Sequence, residues 1–386
     1  MEDSVEWGIG GVVFSVDHEP TLKKTDFRKE IVFASIGTFL FSIIVVITVI
    51  FSNYWTVVSL ALDDTDGPEF GYRLDVEPEL YEDLGANRYP YSSGTEYPSF
   101  SSTVYIWGSC ISDCPQTPSA WAGSGVIISS RWILTAAHVV EDMDPNDSFI
   151  VIGPDWEYGD VYEVESFYIH PSWNGVNELD LGFDIALVAL SDYISGVYPS
   201  SWANQEDIDE SLVDATIFIS GFGDYSDYED SFCDSACLTD GDEFYSQRRA
   251  WANTLDRVIE IGTQSGENDV ASLRGGHIVY DFDSPDGRSN SLASGNLGFN
   301  FFQDYSYAGE GDSSPNPHAL EGTAVPGDSG GPVFAKIDGK WTVIGLTSHG
   351  SIASGYGDVG FNTRVSVHSE WICSIPTPSR PISGCA

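Results

Sequence analysis

From about Phe100 onward the chain is a succession of short apolar runs, each broken by Gly, Asp, Asn or Ser: TVYIW, GVIIS, WILTAA, FIVIG, IALVAL, ATIFIS, HIVYDF, PVFAKI and WTVIGL. Strands of this length at such spacing predict a β-sandwich or β-barrels. The 39 glycines, set among many Tyr, Val, Ile and Ser, point the same way, to an all-β protein rich in turns and not to a helical bundle. No fixed-period repeat is visible. Residues 224–320, with SDYEDSFCDSAC, TDGDEF and FDSPDG, read as long surface loops around a few strands.

One segment stands apart. Ile31 to Phe51 runs 21 residues without a charge, enough as a helix to cross roughly 30 Å of hydrocarbon. Lys23, Lys24, Arg28 and Lys29 precede it, and Asp63, Asp64 and Asp66 come after it. The positive-inside bias places residues 1–30 in the cytoplasm and everything beyond residue 52 outside, extracellular, periplasmic or lumenal. A cleaved signal peptide is the rival, but its apolar region is usually shorter and ends at a small-x-small site, which is missing before Tyr54-Trp55. The expectation is an uncleaved transmembrane signal anchor at 31–52, touching the lipid bilayer. Residues 53–97, acidic and without sustained periodicity, read as a stalk or pro-segment.

All six cysteines lie beyond the apolar run, as Cys110/Cys114, Cys233/Cys237 and Cys373/Cys385. Even cysteine counts in an exported region suggest disulfides, and pairing of each neighbour is expected. Zinc is disfavoured because no His sits at ligand spacing beside them. The charge balance, 16 Lys and Arg against 59 Asp and Glu, argues against DNA or RNA partners and against docking on anionic lipid, since either surface is repelled by the mean field. High salt would screen such self-repulsion, so a saline habitat is a reading to test.

Three motifs carry the chemistry. Trp132-Ile133-Leu134-Thr135-Ala136-Ala137-His138 sets a His after a hydrophobic strand, Phe183-Asp184-Ile185-Ala186-Leu187 a lone Asp at the head of one, and Gly327-Asp328-Ser329-Gly330-Gly331-Pro332 a Ser in a glycine-rich turn. Taken singly, each has an ordinary structural explanation. Together, in this order, they resemble the chymotrypsin/trypsin family of serine peptidases over roughly residues 98–373. Ser220-Gly221-Phe222-Gly223, Ser348-His349-Gly350, Gly360-Phe361-Asn362-Thr363-Arg364-Val365 and Trp371-Ile372 extend the likeness.

That resemblance implies a fold of two six-stranded antiparallel β-barrels, about 98–215 and 216–365, within a domain 98–386, closed by a short terminal helix over Ser366–Ile372. It implies a triad acting on polypeptide substrates. Ser329 is the nucleophile, His138 the base that takes its proton, and Asp184 the group that fixes the imidazole tautomer. The N–H groups of Gly327 and Ser329 form the oxyanion hole, and Ser348 supports Asp184. No cofactor or metal is called for.

The departures are informative too. Val139 and Gly123 stand where the family carries a cysteine pair, Val325 replaces another cysteine, and the long Asp184–Ser329 separation implies insertions within 224–320. Activation in the family frees an amine that pairs with the Asp before the Ser, here Asp328. Cleavage after Arg88 is one route; an internal Arg that pairs with Asp328 is the other. Thr323 falls at the base of the substrate pocket and Gly350 and Gly360 at its walls, which ranks neutral or aromatic P1 side chains first. Asp358 would favour a basic P1, and His349 an acidic one. Asp281, Asp283 and Asp286, like Asp155, Glu157 and Asp160, are close enough to raise calcium, though solvated loops are the favoured account. A catalytically silent homologue acting as a binding module is the alternative from another functional class.

Overall fold

The computed structural model describes residues 8–9, 12–13, 71–88, 96–110, 120–204, 211–223, 247–259, 276–293, 312–350, 354–375 and 381–385. The chain divides into two units, Met1–Thr65 and Asp66–Ala386. In the first, β1 (Gly8–Ile9) and β2 (Val12–Val13) form an antiparallel pair. The apolar run at 31–52 lies outside the described residues, and among those residues no helix is long and apolar enough to cross a membrane.

The second unit is all-β at its centre. Strands β3 (Thr103–Cys110), β4 (Ala120–Ser129), β5 (Trp132–Thr135), β6 (Met143–Ile152), β7 (Asp160–Ile169) and β8 (Ala186–Leu190) close into a barrel in the order β3-β4-β5-β8-β7-β6. Every neighbouring pair is antiparallel. Val104, Ile106, Ile133, Ile150 and Val188 fill its interior, as the alternation along pleated strands requires.

A second sheet is built from β9 (Ser201–Trp202), β10 (Thr216–Gly221), β11 (Arg249–Thr254), β12 (Arg257–Ile259), β13 (His277–Asp281), β14 (Pro332–Ile337), β15 (Lys340–His349) and β16 (Val359–Arg364). Its order is β11-β10-β14-β15-β16-β13-β12, with β9 parallel beside β15. Here the expectation of two closed six-stranded barrels is corrected: this half is an eight-stranded open sheet curved as a half-barrel. The seam that would close it is occupied. Ala252 donates its N–H to Leu320 O, and the Asn253 amide reaches both Asp281 O and Gly322 O. The free edge of β11 is thus spent on an irregular segment and a side chain, not on a ladder with β13.

Part of the stretch read as stalk belongs to this unit. Tyr72 bridges to Gly322, Gly71 O accepts the Thr323 N–H, and the short helix α1 (Glu79–Gly85) packs on β11 with Tyr81 and Leu84 fully buried. Its acidic residues, Glu79 and Glu82 in the first turn, masked the apolar side chains that dock it. At the far end a 3₁₀ turn (Ser366–His368) runs into a terminal helix (Ser369–Ser374). The Cys373–Cys385 disulfide ties the tail back onto that helix. Cys110 is also disulfide-bonded, while Cys114, Cys233 and Cys237 lie outside the described residues.

Candidate functional site

Strand β5 is buried along its whole length and ends at Ala136, whose extended backbone gives way to one helical turn, α2 (Ala137–Val140). That break projects His138 from the barrel rim. Its backbone N–H donates to Asp184 Oδ1 at 2.9 Å and its Nδ1 lies 2.7 Å from Asp184 Oδ2. Asp184, just ahead of β8, is fully buried. Ser348 on β15 donates its hydroxyl to the same Oδ2 at 2.6 Å, and Thr363 on β16 donates to the Asp184 carbonyl at 2.9 Å. The carboxylate therefore sits between the two sheets and is bonded from both.

Electrostatics are set by that geometry. Burial pushes the Asp184 carboxyl upward, but the charge and hydrogen bonds of His138, with Ser348, outweigh it and hold the group below the ordinary carboxylate range. For His138, burial pulls the imidazole down, and the Asp184 charge and hydrogen bond more than reverse it, leaving it above the usual histidine value. The Nδ1 proton faces Asp184, so Nε2 is the nitrogen available to accept.

The turn carrying Ser329 is docked on the first barrel by hydrogen bonds. Ser124 on β4 donates its N–H to Ser329 O at 2.7 Å and its hydroxyl to Gly327 O at 2.9 Å. That hydroxyl also accepts the Phe222 N–H at 2.9 Å. Gly330, at φ +78°, lies so close to β5 that a Cβ would fall 2.1 Å from Thr135 Oγ1; only glycine permits the approach. Gly327 is likewise left-handed, at φ +96°. These contacts hold the turn at Gly330, next to Ser329, against the strand end that leads into His138. Beside it, Val139 packs onto Gly123, where a Cβ would meet its Cγ1 at 2.7 Å. An apolar contact fills the place of the missing cysteine pair.

Asp328 is fully buried and ion-paired to Arg249 Nη2 on β11. The Gly223 and Val325 N–H groups also donate to it, at 2.8 and 2.9 Å. The guanidinium further reaches Gly71 O and Thr323 O and lies 4.5 Å over the Trp251 ring. Of the two routes to a partner for Asp328, the geometry supplies the internal arginine. Thr323 is buried and donates to Asp358 Oδ2 at 2.8 Å. Gly350 faces that carboxylate, whereas Gly360 faces the Tyr280 ring. His349 stacks on Phe361 with centroids 4.8 Å apart, and burial together with His277 pulls it down to about 3, so it is a neutral wall with no positive charge to offer an acidic side chain.

Ser124, Arg249 and Thr363 escape a reading of the sequence. The only hint is Arg248-Arg249 at the head of a strand in a cation-poor chain. The acidic loops are also corrected. Asp281 and Asp283 are buried, not solvated; Asp281 and Asp256 both accept from Ser313 Oγ, while Asp283 and His318 donate their N–H groups to Glu321. Among the described residues no cluster is arranged to hold a metal.

Comparisons with known proteins bear on the family. The family model described as Trypsin matches residues 115–270, a span that includes His138 and Asp184. Chymotrypsin-like elastase family member 1 of Canis lupus familiaris is 26% identical over 272 residues, covering 65% of this chain and 80% of that protein. Complement C1s subcomponent of Bos taurus is 33% identical over 113 residues, 26% of this chain. Spermosin of Halocynthia roretzi is 45% identical over 47 residues, 12% of this chain. The matches span 16% and 12% of the length of these last two relatives.

Proposed function

Because this chain belongs to the chymotrypsin/trypsin-like serine peptidase family, we propose that it is a membrane-anchored, outward-facing serine endopeptidase acting through Ser329, His138 and Asp184. His138 Nε2 takes the Ser329 proton as the hydroxyl attacks the peptide carbonyl, then returns it to the leaving amine. The acyl-enzyme so formed is hydrolysed by water activated at the same imidazole. Asp184 holds the tautomer and stabilises the imidazolium. The Gly327 and Ser329 N–H groups receive the oxyanion, at about 3–4 kcal/mol per donor. These roles are those of the general triad template, carried to this chain's matching residues.

The observation that carries the reading is the bonding of Asp184: a buried carboxylate accepting from His138 N, His138 Nδ1 and Ser348 Oγ at 2.6–2.9 Å. What favours a catalytic role over a merely structural one is that one of these donors is the Nδ1 of a histidine at the barrel rim, whose Nε2 is left to accept, while another comes from the opposite sheet. The Arg249–Asp328 pair supports activity of the uncut chain, since the carboxylate needs no new amine. The apolar run 31–51 with its charged flanks supports the anchor. A fluorophosphonate probe applied to the full chain in membranes tests the proposal. Labelling confined to Ser329, abolished by Ser329→Ala, is expected. A wild-type chain that stays unlabelled at every salt concentration overturns it in favour of a silent binding module.

A further inference from the structure

We infer that His349 is a positioning residue of the reaction: its Nδ1–H donates to the Ser348 hydroxyl and so keeps that hydroxyl's own proton on Asp184. This rests on the peptidase reading and adds a side chain behind its triad. Ser348 and His349 are neighbours in sequence, and neighbours on a regular strand point to opposite faces of the sheet. Here the ladder between β15 and β16 slips. Thr347 pairs with Asn362 and His349 with Phe361, so Ser348 is the extra residue of a β-bulge. A bulge re-aims side chains at such a point, and Ser348 Oγ comes to lie 3.1 Å from His349 Nδ1.

The proton count fixes the direction of that contact. Asp184 is held below the ordinary carboxylate range, so it is ionised and has no proton to give. Its Oδ2 lies 2.6 Å from Ser348 Oγ, so the single hydroxyl proton sits between them; two bare oxygens at that separation would repel. The hydroxyl then meets His349 only with a lone pair, and the proton in the 3.1 Å contact belongs to Nδ1. Burial first, then His277 and His138, outweigh the Asp184 charge and pull this imidazole down to about 3, so it is neutral and carries that one proton.

The ring is held in the pose the bond needs. Phe361 lies parallel to it, with centroids 4.8 Å apart and planes within 2°. His277, on β13, meets it edge-on at 5.4 Å and 88°. A face and an edge together resist turning Nδ1 away. The bonds therefore run in one direction, from His349 Nδ1 to Ser348 Oγ and on to Asp184 Oδ2, which also faces His138 Nδ1 at 2.7 Å. A hydroxyl that accepts a bond donates a stronger one. His349 thus fixes a rotor: Ser348 is kept from turning its proton elsewhere, and Asp184 keeps a donor that holds it in line with His138.

The test uses the full chain with a cleavable peptide and three replacements at 349. His349→Asn keeps an N–H at the Nδ1 position, His349→Gln carries its amide a methylene further out, and His349→Phe keeps only the ring. Expected is a fall in kcat of about 3- to 10-fold in His349→Gln and His349→Phe with KM little changed, and recovery of most of it in His349→Asn. With Ser348→Ala already present, His349→Phe should cost less than about twofold more, because the bond it breaks is already gone. Full activity in His349→Phe with loss in His349→Asn makes His349 a packing residue and overturns the assignment. So does an effect confined to KM, or the same cost with and without the Ser348 hydroxyl. NMR of the ring nitrogens in histidine-labelled protein, with His349 assigned by the signal missing from its variants, needs no cleavage. A proton on Nδ1 whose exchange with water quickens in Ser348→Ala is expected; a proton on Nε2 alone overturns the assignment. Should Ser329 stay unreactive toward the fluorophosphonate, the peptidase reading has failed instead, and that spectrum still judges the bond.

Discussion

Replacing Arg249 with Met removes the cation bonded to Asp328 and leaves a carboxylate stranded in the interior. Both partners are buried, with 1% and 0% of their side-chain surfaces exposed. Breaking such a pair from one side costs about 3–5 kcal/mol, because the surviving charge stays in a dry site. Asp328 keeps the Gly223 and Val325 N–H bonds, which soften the loss. Thr323 O loses a donor and Trp251 loses its cation, adding about 1 kcal/mol more. A total near 4–5 kcal/mol is comparable to the stability of a marginal domain. The loop from 323 to 330 can relieve it by opening. If the penalty is relieved that way, the fraction of molecules with Ser329 in place falls about 10³-fold. Urea unfolding and the fluorophosphonate labelling rate, run in parallel, measure the two parts. Arg249→Met/Asp328→Asn should recover about 3 kcal/mol relative to the sum of the single changes, since it deletes the stranded charge. The reasoning fails if Arg249→Met keeps its urea midpoint and labels within about threefold of wild type. It also fails if every labelled molecule begins after Arg88, for then a cleaved amine has taken the role.

Three further outcomes are expected. Ser348→Ala removes a charge-assisted bond to Asp184, so kcat/KM should drop about 10- to 100-fold with KM nearly unchanged; a rise in KM alone would refute it. The acid limb of kcat/KM against pH should lie above the ordinary histidine value of 6.5, because His138 is held above it by Asp184 and only the neutral imidazole acts as base. Asp184→Asn should cost about 10⁴-fold, and a limb that stays put in that variant would contradict the assignment. Thermal stability should fall as pH rises from about 5.5 to about 8.5. Burial, with help from neighbouring acids, lifts Asp256 to about 8, Asp283 to about 7 and Glu321 to about 8. Raised carboxyls hold protons more tightly folded than unfolded, so their contribution is complete near pH 4 and is lost through about pH 7–8. Calorimetry at fixed ionic strength should show a Tm lower by about 10 °C at the upper end, with a shallower slope in Glu321→Gln; a flat or rising Tm would exclude the effect.

What is legible in the sequence depends on how local the causes are. The runs WILTAA, IALVAL and PVFAKI are strands because contiguous β-branched and apolar residues favour burial wherever they stand, and all three lie in β5, β8 and β14. His138, Asp184 and Ser329 stand out as the proposed triad because nucleophilic chemistry restricts residue type and the strands beside them are strongly patterned. Strand β11 is not: RAWANT opens on an arginine and ends on polar residues, yet Arg249 and Asn253 are buried because their partners lie on Asp328, Asp281 and Gly322. The acids at 256, 281, 283 and 321 escape for the same reason. An acidic stretch such as ELYEDLG reads as solvated until the surface that covers Tyr81 and Leu84 is known.

The residues that join the two sheets at the site are of one kind. Ser124, Thr363 and Ser348 each donate a hydroxyl across the gap, to Gly327 O, Asp184 O and Asp184 Oδ2. Apolar contacts are non-directional and tolerate sliding. A hydrogen bond loses its strength with a few tenths of an ångström or a few tens of degrees. A nucleophile on one sheet and a base on the other must meet within such limits, so the boundary between them is stitched with small hydroxyls and not greased with leucines. Serine and threonine are among the least conspicuous residues in a sequence. This is why Ser348 is anticipated only through the family resemblance, and the parts played by Ser124 and Thr363 are read only from the fold.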